Sequence, residues 1–186
     1  MKIPECFHHV RLSSREFWRR IIQEEGGQER LREKELNILM VGVNNRLVES
    51  ILEANGQTSI TVIDISPREV RKAQRDFKDN DQVTILRKDA LHVGADEFSE
   101  GFNFVLAFNF IHFKNVSVGN FIVGISKLLN EGGKVFCSTP IPYRIPEADK
   151  AKIGDNNIEV VEKSLGIGRI FSFQQKTRDE FSNLDV

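Results

Sequence analysis

Between Ile38 and Asp64 the sequence reads apolar run, glycine, amphipathic stretch, apolar run, acid, and a βαβ unit is the fold element that accommodates this succession. Ile38-Leu39-Met40-Val41 is short and continuously apolar, as a strand covered on both faces must be, and Gly42 follows it. Leu47, Val48, Ile51 and Leu52 recur at helical spacing and predict the crossover helix, which Asn55-Gly56 is expected to end in a left-handed turn. Ile60 to Ile63 is the second strand, and Asp64 closes it. An acid at that point, about twenty residues past the first turn, is where an open parallel sheet grips a ribose. A nucleoside-containing ligand is therefore the first expectation.

The alternation continues down the chain. Ser66-Pro67-Arg68-Glu69 combines an N-cap, a proline at the first helical position and a capping-box glutamate, and Val70, Ala73 and Phe77 extend the buried face. Val83 to Leu86 predicts a third strand, followed by Asp89-Ala90, and Phe102 to Phe108 a fourth. Phe121, Ile122, Ile125, Leu128 and Leu129 form a helical stripe that Asn130-Glu131-Gly132-Gly133 should close before a fifth strand at Lys134 to Ser138. Ile158 to Glu162 and Arg169 to Gln174 flank Gly166 and Gly168 and read as an antiparallel hairpin. Upstream, Ser13-Ser14-Arg15-Glu16 opens a helix over about 14–25, and Gln28 to Glu35 is a solvated helix or linker. The expected organisation is an N-terminal helical segment, 1–35, and an α/β domain, 36–186.

A chain of 186 residues can bury one core without staples. Cys6 and Cys137 have neither disulfide-framework nor metal-ligand spacing, and the absence of a long apolar run predicts a cytoplasmic protein with no membrane segment. His8-His9 lacks partner ligands, so no metal is assigned. The formal charge of -1 gives no overall drive toward nucleic acid, and with little chain left for a substrate domain a small-molecule partner is expected. A partner protein or a homodimer completing the pocket is left open.

Motif by motif, Ile38 to Pro140 resembles the class I S-adenosylmethionine-dependent methyltransferases. Ile38-Leu39-Met40-Val41-Gly42 is similar to the family's first motif, Val62-Ile63-Asp64-Ile65-Ser66-Pro67 to its second and Lys88-Asp89-Ala90 to its third. Phe102 to Ala107 followed by Asn109 and His112 resembles the fourth, and Leu128 to Val135 the turn into strand five. The resemblance implies a Rossmann-like seven-stranded mixed sheet of order 3-2-1-4-5-7-6, strand 7 antiparallel, with S-adenosylmethionine as cofactor. It also implies site roles. Val41 and Gly42 would let backbone approach the methionine part, Asp64 would accept from the ribose hydroxyls, and Ile65 would pack on adenine. Asp89 and the Ala90 amide would read the adenine edge. Asn109 would line the cavity near the sulfonium, and His112 is the base candidate if the acceptor arrives protonated.

Three positions depart from the family pattern. Met40 stands where an acid is usual, and Asn44 and Arg46 stand where glycines are. Arg46 would either pair with the cofactor's carboxylate or point to solvent behind an Asn45 cap. These departures define the alternative reading, a catalytically inactive relative serving as a binding or scaffold protein. A nicotinamide-dependent oxidoreductase would need the full glycine fingerprint, of which only Gly42 is present. Asn109-Phe110-Ile111-His112 also lacks the Asn-Pro-Pro-aromatic run of adenine or glutamine amide methyltransferases. Phe17 and Trp18 read either as a lid or as the inward stripe of a docked helix, Tyr143 as pocket lining or loop packing, and Arg11, Arg15, Arg19 and Arg20 as a solvated helix face.

Overall fold

The computed structural model describes residues 13–32, 34–108, 117–139, 144–164 and 169–175. Seven strands form one sheet of order β3-β2-β1-β4-β5-β7-β6. They are β1 (Leu36–Val41), β2 (Thr58–Asp64), β3 (Val83–Arg87), β4 (Phe102–Ala107), β5 (Leu129–Thr139), β6 (Ile158–Ser164) and β7 (Arg169–Gln175). β1 pairs in parallel with β2 and β4, β2 with β3 and β4 with β5, whereas β7 runs antiparallel to both β5 and β6. This is the sheet order the resemblance implied.

Helices cover both faces: α1 (Ser14–Glu24), α2 (Gln28–Arg32), α3 (Asn45–Ala54), α4 (Pro67–Asp76), α5 (Val118–Ser126) and α6 (Glu147–Asp155). Alternation along each strand divides the core into two. Ile38 and Met40 of β1 join Leu47, Ile51, Val70 and Phe136 in one cluster, while Leu39 joins Val105, Phe121, Ile125 and Phe171 in the other. Phe17, Trp18 and Ile21 of α1 belong to the first cluster. They are buried against it, so α1 docks as an amphipathic helix rather than closing as a lid. Its end is pinned by Glu25 to Lys134 at 2.7 Å and by Glu24 to Lys163 at 2.9 Å and Ser172 Oγ at 2.8 Å. Arg19 and Arg20 both pair with Glu16 on the solvent side.

Four local expectations change. Asn55 is extended, at φ -145, and does not form a left-handed cap; its side-chain amide donates to the Leu31 and Lys34 carbonyls and its Oδ1 accepts from Gln57 N–H. Asn44, not Asn45, caps α3 through Leu47 N–H, and Asn45 reaches Asp76 instead. Leu129 to Gly133 lies inside β5, where the register against β4 shifts between Phe102 and Phe104, so these residues form an irregular strand start and not a closing turn. Helix α6 has no counterpart in the sequence reading, because Ile153 is its only buried side chain and leaves no periodic stripe to detect. No helix among the described residues is long and apolar enough to cross a membrane.

Candidate functional site

The carboxyl ends of β1, β2 and β3 converge on one carboxylate. Asp64, the last residue of β2, is half-buried, and its Oδ2 accepts from Val43 N–H at 2.8 Å while Oδ1 accepts from Ser66 N–H at 2.7 Å. Its backbone carbonyl receives Lys88 N–H from beyond β3, and Gly42 N–H bonds the Ile63 carbonyl at 2.8 Å. The side chain is thus fixed across the turn after β1. Each carboxylate oxygen keeps a lone pair for a further donor.

Gly42 has φ +88, a conformation that side chains other than glycine disfavour, and nothing stands within 4 Å of where a Cβ would be. The strand end therefore opens onto free space beside Asp64. Val41 packs partly against the second core cluster, and Met40 is fully buried in the first. A methionine there offers no acceptor to an ammonium group. Asn44 turns its side chain inward, capping α3 with Oδ1 and exchanging hydrogen bonds with Ser14 Oγ, which ties the start of α1 to this turn. The Arg46 side chain is exposed in the first turn of α3, without a hydrogen bond or ion pair among the described residues.

Ile65 is 59 % exposed directly after Asp64, an unusual position for a large apolar side chain and one suited to covering a flat ring. Asp89 follows β3 and folds its own loop: Oδ1 accepts from Leu91 N–H at 3.0 Å, and Oδ2 lies 2.8 Å from His92 Nδ1. The Leu91 amide, outweighing partial burial and aided by His92, holds the Asp89 carboxyl below its ordinary value. Ala90 is half-buried against the second cluster. Lys88 pairs with Glu97 and fastens the short 3-10 turn Ala95–Glu97 before β4. Asn109, His112, Tyr143 and His8-His9 lie outside the described residues.

The structure thus brings Val41, Gly42, Asn44, Arg46, Asp64 and Ile65 together around one strand end, with Asp89 and Ala90 at the next strand. The links from Val43 to Asp64 and from Ser14 to Asn44 were not anticipated, since each joins residues more than twenty apart through tertiary packing alone. The Asp89-to-His92 link left a weak trace in the three-residue spacing of an acid and a histidine. A groove of about 840 Å³ lies elsewhere, at the amino ends of the strands, lined by Asn37, Ser59, Gln82, Asn103 and Asn130 among others. Four of its amides are engaged within the fold: Asn103 Oδ1 accepts from Asn37 N–H, Asn37 and Asn130 both donate to the Gly101 carbonyl, and Gln82 donates to the Gly56 and Thr58 carbonyls. The strand-end carboxylate, not this groove, carries the chemistry of a binding site. Among the described residues no group of three or more His, Cys, Asp or Glu side chains is placed to hold a metal ion.

Comparison with known proteins agrees with this geometry. No curated protein matches the chain. Among solved structures, an O-methyltransferase family protein from Burkholderia thailandensis superposes with a TM-score of 0.65 at 14 % identity, over 87 % of this chain and 56 % of the other. The chain thus spans little more than half the length of that neighbour. Magnesium protoporphyrin IX methyltransferase from Synechocystis, whose structure has S-adenosylmethionine bound, gives a TM-score of 0.62 at 18 % identity, covering 88 % of this chain and 78 % of the other. The N-methyltransferase NodS from Bradyrhizobium japonicum gives 0.58 at 17 %, covering 87 % and 97 %. At such identities the likeness is one of fold. A family model described as a methyltransferase domain matches residues 41–135, just over half of the chain and the stretch that holds Gly42, Asp64 and Asp89. The chain therefore belongs to the methyltransferase-domain family and has a Rossmann-like fold.

Proposed function

We propose that this chain transfers a methyl group from S-adenosylmethionine to a small-molecule acceptor. The observation that carries the reading is the Asp64 carboxylate, fixed by two backbone donors beside the open space at Gly42. The residues present fit the adenosine half of the cofactor. Asp64 would take the ribose hydroxyls in charge-assisted hydrogen bonds, Ile65 would cover one adenine face, and Asp89 with the Ala90 amide would meet the adenine edge. Val41 and Gly42 would let backbone approach the methionine part, with Asn44 beside it and Arg46 within reach of its carboxylate.

When bound, the cofactor supplies a methyl group already activated on a sulfonium. The protein's part is alignment and the exclusion of water, and well-oriented reactants can recover about 7 kcal/mol or more of the barrier. Asn109 would line the cavity near the reacting centre, and His112 would hold the acceptor's proton where one must leave. We assign residues 1–35 to an N-terminal helical segment and 36–186 to the α/β domain; of the described residues, α1 packs on the first core cluster through Phe17 and Trp18.

The test is formation of S-adenosylhomocysteine from S-adenosylmethionine over a panel of small phenols, amines and carboxylic acids. Acceptor-dependent product that disappears with Asp64→Ala, in a variant that still folds, supports the reading. Absence of product from every acceptor, together with no binding of either cofactor form, refutes it.

A further inference from the structure

Two buried donors, where β5 ends and β7 begins, have nothing to bond among the described residues. Thr139 closes β5 and Arg169 opens β7, and the two are direct partners in the antiparallel ladder. Cross-strand partners project on the same face with Cβ atoms about 5 Å apart. Thr139 is 3 % exposed, and its hydroxyl has no hydrogen-bond partner among the described residues. The Arg169 side chain is 17 % exposed; Nη1 donates to Glu162 on β6, but Nε is buried without a partner among the described residues. An unsatisfied buried polar group costs about 1–3 kcal/mol, and folded proteins keep few of them. Two side by side point to a shared acceptor that the described residues do not supply.

Their place says what that acceptor belongs to. Ala107 of β4 pairs with Cys137 of β5, so Thr139 stands at the carboxyl edge of the parallel strands, level with the turn that follows β1. At about 4.8 Å per strand, β5 lies about 10 Å and β7 about 15 Å from β1. Asp64 is on the opposite side of β1, on β2. If the nucleoside lies over β2 and β3, as proposed above, the other substrate lies over β4, β5 and β7.

The chemistry narrows the class. Arg169 can only donate, so the shared partner must be an acceptor, and the guanidinium favours a negative one. With Nη1 taken by Glu162, the Nε edge remains, the edge that forms paired hydrogen bonds with carboxylate oxygens. We propose that Thr139 and Arg169 anchor a carboxylate of the methyl acceptor, making the substrate a small carboxylic acid. This rests on the methyltransferase reading for the word acceptor. The pair itself rests only on the geometry of β5 and β7.

The test follows the Arg169 Nε–Hε resonance in nitrogen-15 correlation spectra, assigned by its loss in Arg169→Lys. Acetate and benzoate are titrated with benzamide as the uncharged control, each with and without S-adenosylhomocysteine. The expected result is a saturable shift with both carboxylates at about millimolar concentration and none with benzamide. Thr139→Val should weaken carboxylate binding about tenfold without lowering the melting temperature, since it removes an unsatisfied hydroxyl and keeps the shape. A resonance that carboxylates leave unmoved overturns the proposal, as does a Thr139→Val protein that melts lower and binds carboxylate unchanged. Failure of S-adenosylhomocysteine to bind, with the carboxylate shift intact, refutes the cofactor reading and leaves the anion site standing.

Discussion

Val43 N–H donates to Asp64 Oδ2 at 2.8 Å, so the turn after the first strand is held by the side chain that ends the second. The link makes the shape of the turn and the position of the carboxylate one feature. It also explains how the turn stays ordered: the capping of α3 by Asn44 and its bond to Ser14 hold the other side of it.

Asn44 should therefore separate stability from cofactor access. Asn44→Ala removes the N-cap and is expected to cost about 1 kcal/mol, whereas Asn44→Gly should cost a few tenths. The glycine variant also removes a side chain beside the open strand end, so its affinity for S-adenosylhomocysteine should be equal to or higher than that of the parent. Chemical denaturation and calorimetric titration of the two variants check this, and an alanine variant as stable as the parent would show that the cap contributes nothing.

Asp89 predicts a pH dependence of known sign. Its carboxyl is held below 3.8 chiefly by the Leu91 amide, with His92 assisting, so the native state takes up the proton less readily than the unfolded chain. Its stabilisation is present in full above that ordinary value and disappears as the pH falls through the lower native value. The stability difference between the parent and Asp89→Asn should accordingly shrink to nothing in the acid range and be constant near neutrality. A difference that grows on acidification would contradict the assignment.

Phe17 and Trp18 test how firmly the first helix belongs to the core. Phe17 is fully buried, with its ring centroid 5.3 Å from that of Phe108 at the end of β4. Phe17→Ala should destabilise by about 3–5 kcal/mol, the usual cost of such a cavity. Trp18→Phe should cost far less, because the indole Nε1 is buried without a partner among the described residues and its removal relieves an unsatisfied donor. Equal losses in thermal unfolding would mean that the indole nitrogen does have a partner.

Much of this architecture was legible in the sequence because its strands are short, doubly covered and therefore continuously apolar. Ile38 to Val41 and Phe104 to Ala107 have no polar face to confuse their period. Helix α4 was legible for a different reason: Ser66 and Pro67 carry their start signal locally. What stayed hidden depends on tertiary contact. Helix α6 buries one side chain, Asn55 takes its conformation from carbonyls near α2, and the register slip at the start of β5 is decided by β4. At the site, Asp64 was legible from its place at a strand end. Thr139 and Arg169 were not, since thirty residues separate them and only the β5–β7 register brings them together.

The central claim is that the Asp64 carboxylate holds the ribose of S-adenosylmethionine, and calorimetric titration with S-adenosylhomocysteine tests it most directly. Asp64→Asn is the informative variant, because it keeps an acceptor oxygen for one backbone donor and removes the charge. Charge-assisted hydrogen bonds contribute about 1.5–3 kcal/mol, so the account predicts micromolar binding by the parent and a loss of about tenfold to a hundredfold in a variant that remains folded. Equal affinity of the two folded proteins, or no binding by the parent, would contradict it.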